Sequence, residues 1–387
     1  MHFMFFSAQY LPTVGGVERY TAGICHELIK HEHRVTIVTS SLPSLPNYEV
    51  CDDGVYIIRL PVIPFMAGRF PVLKVSREKS NFKEYFAKNK PDFCVIQTRF
   101  YTSSIMAARL CKKYSVPAVV IEHGTAHLMH GGVVGIAANI YEHIVCRYIY
   151  RQCRDFYGVS LACCNWLKHF GISTDKVLYN SVNPEEINAL AESGKKSLIS
   201  YTGTSKSNTT IVFTARFIPE KGVKQLMAAF KQIHQKYPDT HLVMSGDGPL
   251  WKWADSQKNE NVILTGKLPY EENLALIKAG DLFILPTYSE GFASTVLEAA
   301  ALKTVILTTP TGGSPQLILD SDYGILFPTM EEDSIFSALD KAISEPEWRN
   351  RAVEKAYRNL MNNFTWEKTC QRLISIAKNE VKKEFAN

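Results

Sequence analysis

The sequence predicts an α/β protein of two doubly wound domains facing one another across a cleft, and three observations carry that expectation. Short Val-, Ile- and Phe-rich runs alternate with longer segments of helical periodicity along the whole chain, the pattern of strand-helix-strand units and parallel sheets. At 387 residues the chain exceeds what one core ordinarily holds, since chains divide into domains beyond roughly 250 residues. The polar, Ser/Thr/Lys-rich stretch from Asn183 to Thr210 separates two sets of strand candidates and reads as a boundary.

The first set runs HFMFFS, RVTIVTS, GVYIIRL, DFCVIQT, AVVIEHG, FYGVS and KVLYNSV, and the second runs TIVFTARF, HLVMSGDG, NVILTGK, DLFILPTY, TVILTT and GILFPT. Such near-continuous apolar runs fit strands covered by helices on both faces. The expected organisation is a first domain over residues 1–182, a linker over 183–210, a second domain over 211–364 and a terminal amphipathic helix over 365–387. In that helix Trp366, Leu373, Ile374 and Ile376 keep helical register. Ligands of doubly wound sheets bind where strand carboxyl ends meet helix N-termini, so chemistry is sought at the strand ends.

Composition narrows the classes. Hydrophobic residues make up 46% and charged ones 21%, without low-complexity tracts, as in a globular protein. MHFMFF passes into SAQYLP without a basic leader or cleavage site, so a cytosolic chain without a secretory signal is expected. GGVVGIAANIYEHIVCRYIY is interrupted by Glu142, His143 and Arg147, which excludes it as a spanning helix of about 20 apolar residues. Nine cysteines without a Cys-x-x-Cys pair, two of them adjacent at Cys163 and Cys164, suit reduced thiols better than disulfides or zinc.

Charge is unevenly spread. Residues 1–180 carry 20 Lys and Arg against 13 Asp and Glu, a net +7, and the remainder carries 23 against 25, a net −2. The basic half should meet something acidic. Arg147, Arg151 and Arg154 share a helical face by spacing, and GRFPVLKVSREKSNFKEYFAKNK adds a second basic stretch. These suit either solvated surface or a platform for anionic lipid headgroups or a lipid-linked acceptor. Nucleic acid is disfavoured, because regular aromatic interleaving and recognised motifs are missing.

At the strand ends, Gly15 and Gly16 precede a helix in PTVGGVERYTAGICHELI, where bare backbone and a helix dipole admit a phosphate or sugar; a plain tight turn is the alternative. Gly-x-Gly-x-x-Gly is absent, which disfavours a dehydrogenase. Arg216 and Lys221 in ARFIPEKG form a pair of cations able to clamp a diphosphate and stabilise its leaving charge. His123 ends the strand VVIEHG directly before glycine, a loop position facing a cleft. His127 and His130 follow it in HGTAHLMH. With no neighbouring cysteine or aspartate and no ligand pair on a predicted helix, no metal site is expected. Asp320 to Asp322, DSD, reads as a turn before a strand.

SEGFASTVLEAA follows the buried strand DLFILPTY, so Glu290 lies on a strand-end loop and Glu298 inside the next helix. Thr295 and Glu298 fit a capping box, Thr-x-x-Glu, which explains the second glutamate structurally and leaves Glu290 unexplained. EGFASTVLEA, with GGVERY, EHG, ARFIPEKG, SGDGP, TGKLPYEE and TPTGGSPQLI in order, resembles the retaining GT-B glycosyltransferases of family 4 over almost the whole chain.

The resemblance implies roles. Glu298 would hold the ribose hydroxyls of a nucleotide-diphosphate sugar, and Glu290 the transferred sugar, with donor contacts from Phe292, Ala293, Ser294 and Thr295. Arg216 and Lys221 would bind the diphosphate, Gly15 and Gly16 the loop closing on it, His123 the sugar and leaving group, and Lys267 and Leu268 the base. It further implies transfer of a hexose-type sugar with retention, without metal or other cofactor, from a donor for which a uridine diphosphate sugar is the first choice. The acceptor would be a glycan or a lipid-linked molecule of cell-surface polysaccharide or glycolipid synthesis, met at the inner membrane face. The helix after FTWEKTC resembles the family's segment crossing back to the first domain, which would make closure a hinge motion. Ala215 stands where glycine is usual, and NSVN replaces Asn-Gly-Val-Asp, departures that touch no charged group. A sugar phosphorylase or epimerase on the same fold, or a silent nucleotide-sugar sensor, remain the other readings.

Overall fold

A computed structural model describes residues 1–65, 68–129, 131–194 and 209–386 of the chain. Contacts divide it into two units: Met1–Asn180 together with the segment from Trp366 onward, and Ser181–Thr365.

In the first unit a seven-stranded sheet is built from β1 (His2–Phe6), β2 (Arg34–Ser40), β3 (Tyr48–Val50), β4 (Tyr56–Leu60), β7 (Phe93–Gln97), β8 (Ala118–Glu122) and β9 (Phe156–Gly158), in the order β3-β4-β2-β1-β7-β8-β9. All pairings are parallel except that of β3 with β4. Every residue of β1 and β7 is buried, as two-sided coverage by helices requires. Met4, Phe6, Ile96 and Val120 pack against Phe82, Phe86, Met106 and Ile149 in one core. These come from helices α2 (Arg77–Lys88), α3 (Thr102–Lys113) and α4 (Gly132–Gln152). Helix α1 (Gly16–Lys30) and the terminal helix Trp366–Ala386 are also in this unit. There the Trp366 ring meets Tyr20 edge-on at 5.5 Å, and Thr369 Oγ1 donates to the Tyr179 carbonyl at 3.2 Å.

In the second unit six strands are all parallel: β10 (Thr209–Thr214), β11 (Thr240–Ser245), β12 (Val262–Gly266), β13 (Leu282–Leu285), β14 (Val305–Thr308) and β15 (Ile325–Leu326), in the order β12-β11-β10-β13-β14-β15. Helix Val223–Lys236 buries Leu226, Phe230 and Ile233, and helix Ser294–Ala301 buries Val296 and Leu297.

In both sheets the chain winds first to one side and then to the other. The reversal falls between β1 and β7 in the first and between β10 and β13 in the second. Loops diverge at such a point and leave a crevice at the strand carboxyl ends.

Four points depart from what the sequence predicts. KVLYNSV is no strand: it makes only isolated bridges, Gly158 with Val177 and Val182 with Thr365, as the chain leaves one unit for the other. The hairpin of β5 (Val62–Phe65) and β6 (Phe70–Leu73) escaped the sequence reading because Pro64 lies opposite Pro71, and proline within a run argues against a strand. The expected linker 183–210 begins with helix α6 (Pro184–Ser193), part of the second unit. Asn183 Oδ1 accepts the amides of Glu185 and Glu186 at 3.1 and 3.2 Å, with Pro184 at the first helical position, so NPEE was a helix-start signal. Most of the remaining linker, residues 195–208, lies outside the described residues. Arg154 lies past the end of α4, capped at Cys153, and stacks on Tyr150 at 4.4 Å. It therefore does not share the helical face of Arg147 and Arg151.

Candidate active site

Arg216, Lys221 and Glu290 gather at the switch point of the second unit, whereas Lys267 and Leu268 follow its edge strand β12. After β10 the chain passes Arg216, makes a 3-10 turn over Pro219–Lys221, and enters helix Val223–Lys236 through Gly222. After β13 it passes Thr287 and Glu290 and enters helix Ser294–Ala301. Neighbouring strands bring the two loops together, and Lys221 Nζ forms an ion pair with Glu290 Oε1. Lys221 also donates to Thr287 Oγ1 at 3.3 Å, and Thr287 Oγ1 donates to the Glu220 carbonyl at 3.1 Å. Arg216 is exposed, and among the described residues no ion pair engages its guanidinium.

Two glycine-bearing motifs shape these loops. Gly246 of SGDGP has φ +143°, and a Cβ there would run into the Ala215 carbonyl, so the glycine lets that loop press against the one carrying Arg216. Gly312 of TPTGG has φ +60°, and a Cβ there would lie 2.7 Å from the carbonyls of Glu290 and Gly291. The backbone of the Glu290 loop therefore rests on glycine. Thr311 Oγ1 ties it further by donating to the Thr287 carbonyl at 2.9 Å.

Glu298 is 2% exposed, and its Oε1 accepts the Tyr270 hydroxyl at 3.0 Å. The capping-box reading fails here. The helix starts at Ser294 with Ala293 at the cap position and no side-chain cap bond, so Thr295 is its second residue and Glu298 points to Tyr270. Tyr270 opens helix Tyr270–Ala279 immediately after the loop with exposed Lys267 and half-buried Leu268. The fold thus links that loop to Glu298 through one hydroxyl. Buried Phe292 and Ala293 and half-buried Ser294 and Thr295 occupy the helix start, where the dipole favours negative charge.

In the first unit Gly15 caps α1 and Gly16 is its first residue. A Cβ on Gly16 would meet nothing within 4 Å, whereas Gly15 lies under the Glu18 carboxyl, which burial pushes upward in pKa. His123 follows β8, and its Nε2–H donates to Gln97 Oε1 at 2.6 Å, an assignment that leaves Nδ1 as the acceptor. Burial lowers its pKa to about 3, so the ring is neutral at physiological pH. The Tyr20 ring packs edge-on against it at 4.9 Å. Gln97 ends β7 at the first switch point. Thr98 beside it has φ +65°, unusual for a β-branched residue and a form of strain that clusters at functional sites.

The arrangement of cations, a helix start and a buried carboxylate at one switch point meets two matching sequence families. Residues 14–186 match the family described as Glycosyltransferase Family 4, and residues 196–359 match Glycosyl transferases group 1. The chain is a family 4 glycosyltransferase of the GT-B fold. An uncharacterized glycosyltransferase of Methanocaldococcus jannaschii is 23% identical over 96% of both chains. The alpha-monoglucosyldiacylglycerol synthase of Streptococcus pneumoniae is 24% identical over 98% of this chain and 87% of its own. Among solved structures, Anabaena HepE in complex with UDP-glucose superposes with a TM-score of 0.73 at 15% identity, covering 98% of this chain and 100% of that one.

Within this glycosyltransferase the structure adds Gln97, Tyr270 and Thr287, to which the sequence reading assigned no role. A polar residue at the end of an apolar strand, or just past it, was the available signal for Gln97 and Thr287. Tyr270 lay within the quoted TGKLPYEE but carried no charge. Asp320–Asp322 is a turn, with the Asp322 amide on Asp320 Oδ1 at 2.7 Å and Asp322 paired to Lys355.

Proposed function

We propose that this glycosyltransferase moves a hexose-type sugar from a nucleotide-diphosphate donor, with retention of configuration and without a metal ion at the reacting centre, to a glycan or lipid-linked acceptor. The observation that carries the reading is the juxtaposition of the Lys221–Glu290 pair with Arg216 and the start of helix Ser294–Ala301 at one switch point. Lys221 and Arg216 neutralise the leaving diphosphate, and the helix dipole adds to them. Glu290, held by Lys221, accepts hydroxyls of the transferred sugar, and Glu298 accepts those of the ribose. Neutral His123 stands ready to hydrogen-bond the sugar. The departing diphosphate oxygen takes the acceptor's proton on the face from which it leaves, so no protein base is needed. HepE in complex with UDP-glucose supports a uridine diphosphate sugar as donor. A thermal-shift panel of uridine, guanosine and adenosine diphosphate sugars, run in chelator, tests this. One base should raise the melting temperature, and a donor shift that appeared only with added Mn²⁺ or Mg²⁺ would overturn metal independence.

The likeness to a streptococcal glycolipid synthase supports an acceptor at a lipid surface in polysaccharide or glycolipid synthesis, and two features of the first unit support it physically. Helix α4 exposes Val133 (83%), Ile136 (63%), Ile140 (56%) and Ile144 (64%), a stripe that continues into exposed Arg147 and Arg151. A cavity of about 700 Å³ is lined by Lys79, Lys83, Arg109, Lys112 and Lys113 together with Tyr148. Apolar insertion flanked by cations is the chemistry of interfacial binding to anionic lipid. No helix among the described residues is long and apolar enough to cross a membrane. Co-sedimentation with anionic vesicles, lost on Ile140→Asp/Ile144→Asp, is expected. Equal sedimentation with purely zwitterionic vesicles would contradict the electrostatic part.

A further inference from the structure

We propose that His127, His143 and His169 bind one divalent transition-metal ion of the zinc class, tying the segment after β8 to α4 and to the 3-10 turn Lys168–Phe170. His169 Nε2 lies 3.1 Å from His127 Nε2 and 3.2 Å from His143 Nε2, and the three ligand atoms are all within 4.8 Å of one another. Metal–imidazole bonds of about 2.0–2.1 Å in a tetrahedron set nitrogens roughly 3.3 Å apart, close to the two short separations. His143 is exposed and is the ring with room to close the third.

Hydrogen bonding alone serves this cluster poorly. A ring nitrogen carries either one proton or one in-plane lone pair, so His169 Nε2 can satisfy only one of its two neighbours. A cation accepts all three lone pairs at once.

Independent support comes from the buried charge behind the rings. Arg99 is shared between Glu122 and Glu142, all three at most 1% exposed, which leaves two carboxylates against one guanidinium. His127 Nδ1 faces this excess negative charge, 3.4 Å from Glu142 Oε2. A carboxylate behind the non-ligating nitrogen of a metal-bound histidine orients the ring and strengthens it as a ligand. Packing holds the other rings: Trp166 stacks on His169 at 5.0 Å and 12°, and Phe170 lies 4.7 Å from His143. Three imidazoles with an open side favour Zn²⁺, Co²⁺, Ni²⁺ or Cu²⁺ over Mg²⁺ or Ca²⁺.

The ion would act as a staple rather than as a participant in transfer. Glu142 Oε1 accepts the Leu128 amide at 2.8 Å, and Glu122 Oε1 accepts the amides of His123 and Gly124 at 3.2 and 3.0 Å. Fixing His127 therefore steadies the segment that carries His123. His130, the histidine that follows His127 in HGTAHLMH, lies outside the described residues; the partners the fold supplies come from α4 and from the turn after α5 (Leu161–Leu167).

The test titrates the untagged, chelator-stripped full chain with Co²⁺ and then with competing Zn²⁺. One equivalent of Co²⁺ should produce visible bands of a four-coordinate ion, and Zn²⁺ should displace it and raise the melting temperature. His143→Gln and His169→Gln alter exposed side chains and should leave the metal-free melting temperature unchanged while each weakens Co²⁺ by at least about tenfold. Absence of a saturable band, or wild-type Co²⁺ affinity in both variants, would overturn the site.

Discussion

Replacing Lys221 by methionine should lower turnover by about 10²–10³-fold, the loss expected when one preorganised donor to a developing anion is removed. Lys221 Nζ meets Glu290 and Thr287, and the lysine and glutamate side chains are only 12% and 23% exposed. Water compensates little for the missing ammonium there. Methionine keeps the apolar stem in place, so the variant tests charge rather than packing. It also leaves Glu290 without its ion-pair partner, so on the proposed roles sugar positioning and leaving-group stabilisation should fail together. Arginine restores the charge but replaces a compact ammonium by a planar fork, and should recover only part of the rate. Donor consumption by folded protein is the measurement. Lys221→Met turnover within a few-fold of wild type would remove Lys221 from the reaction.

Much of this was legible in the chain because a two-sided parallel sheet leaves near-continuous apolar runs. β8, β10 and β13 are strands for that reason, and their ends place His123, Arg216, Lys221 and Glu290 on loops. What sequence could not supply is which loops meet. Lys221 and Glu290 are 69 residues apart and Tyr270 and Glu298 are 28 apart. Each pair depends on strand order or on the entry angle of a helix, neither of which leaves a local trace. His127, His143 and His169 were illegible for the same reason, as they come from three elements. The capping-box error has a different origin. Thr-x-x-Glu is a local pattern, but Glu298 is buried and turns one carboxylate oxygen to the Tyr270 hydroxyl, a tertiary contact, and the helix begins without it. NPEE was a true local signal, overridden by the polar composition around it.

Glu298 carries the second large effect. Glutamine has nearly the same shape, and its carbonyl oxygen can still accept from Tyr270, so Glu298→Gln should fold with little change in melting temperature. It cannot offer a charged, two-oxygen acceptor to a pair of ribose hydroxyls. Hydrogen bonds to charged groups contribute about 1.5–3 kcal/mol, and losing about 2–3 kcal/mol weakens binding roughly 30–150-fold. The loss should be the same for the nucleoside diphosphate and for the full sugar donor, because the ribose is common to both. Isothermal titration of the preferred nucleoside diphosphate into wild type and Glu298→Gln measures this directly. A Kd weakened roughly 30–150-fold in a folded variant is expected for a ribose ligand. An unchanged Kd would contradict donor binding through Glu298 and leave that residue as the packing partner of Tyr270.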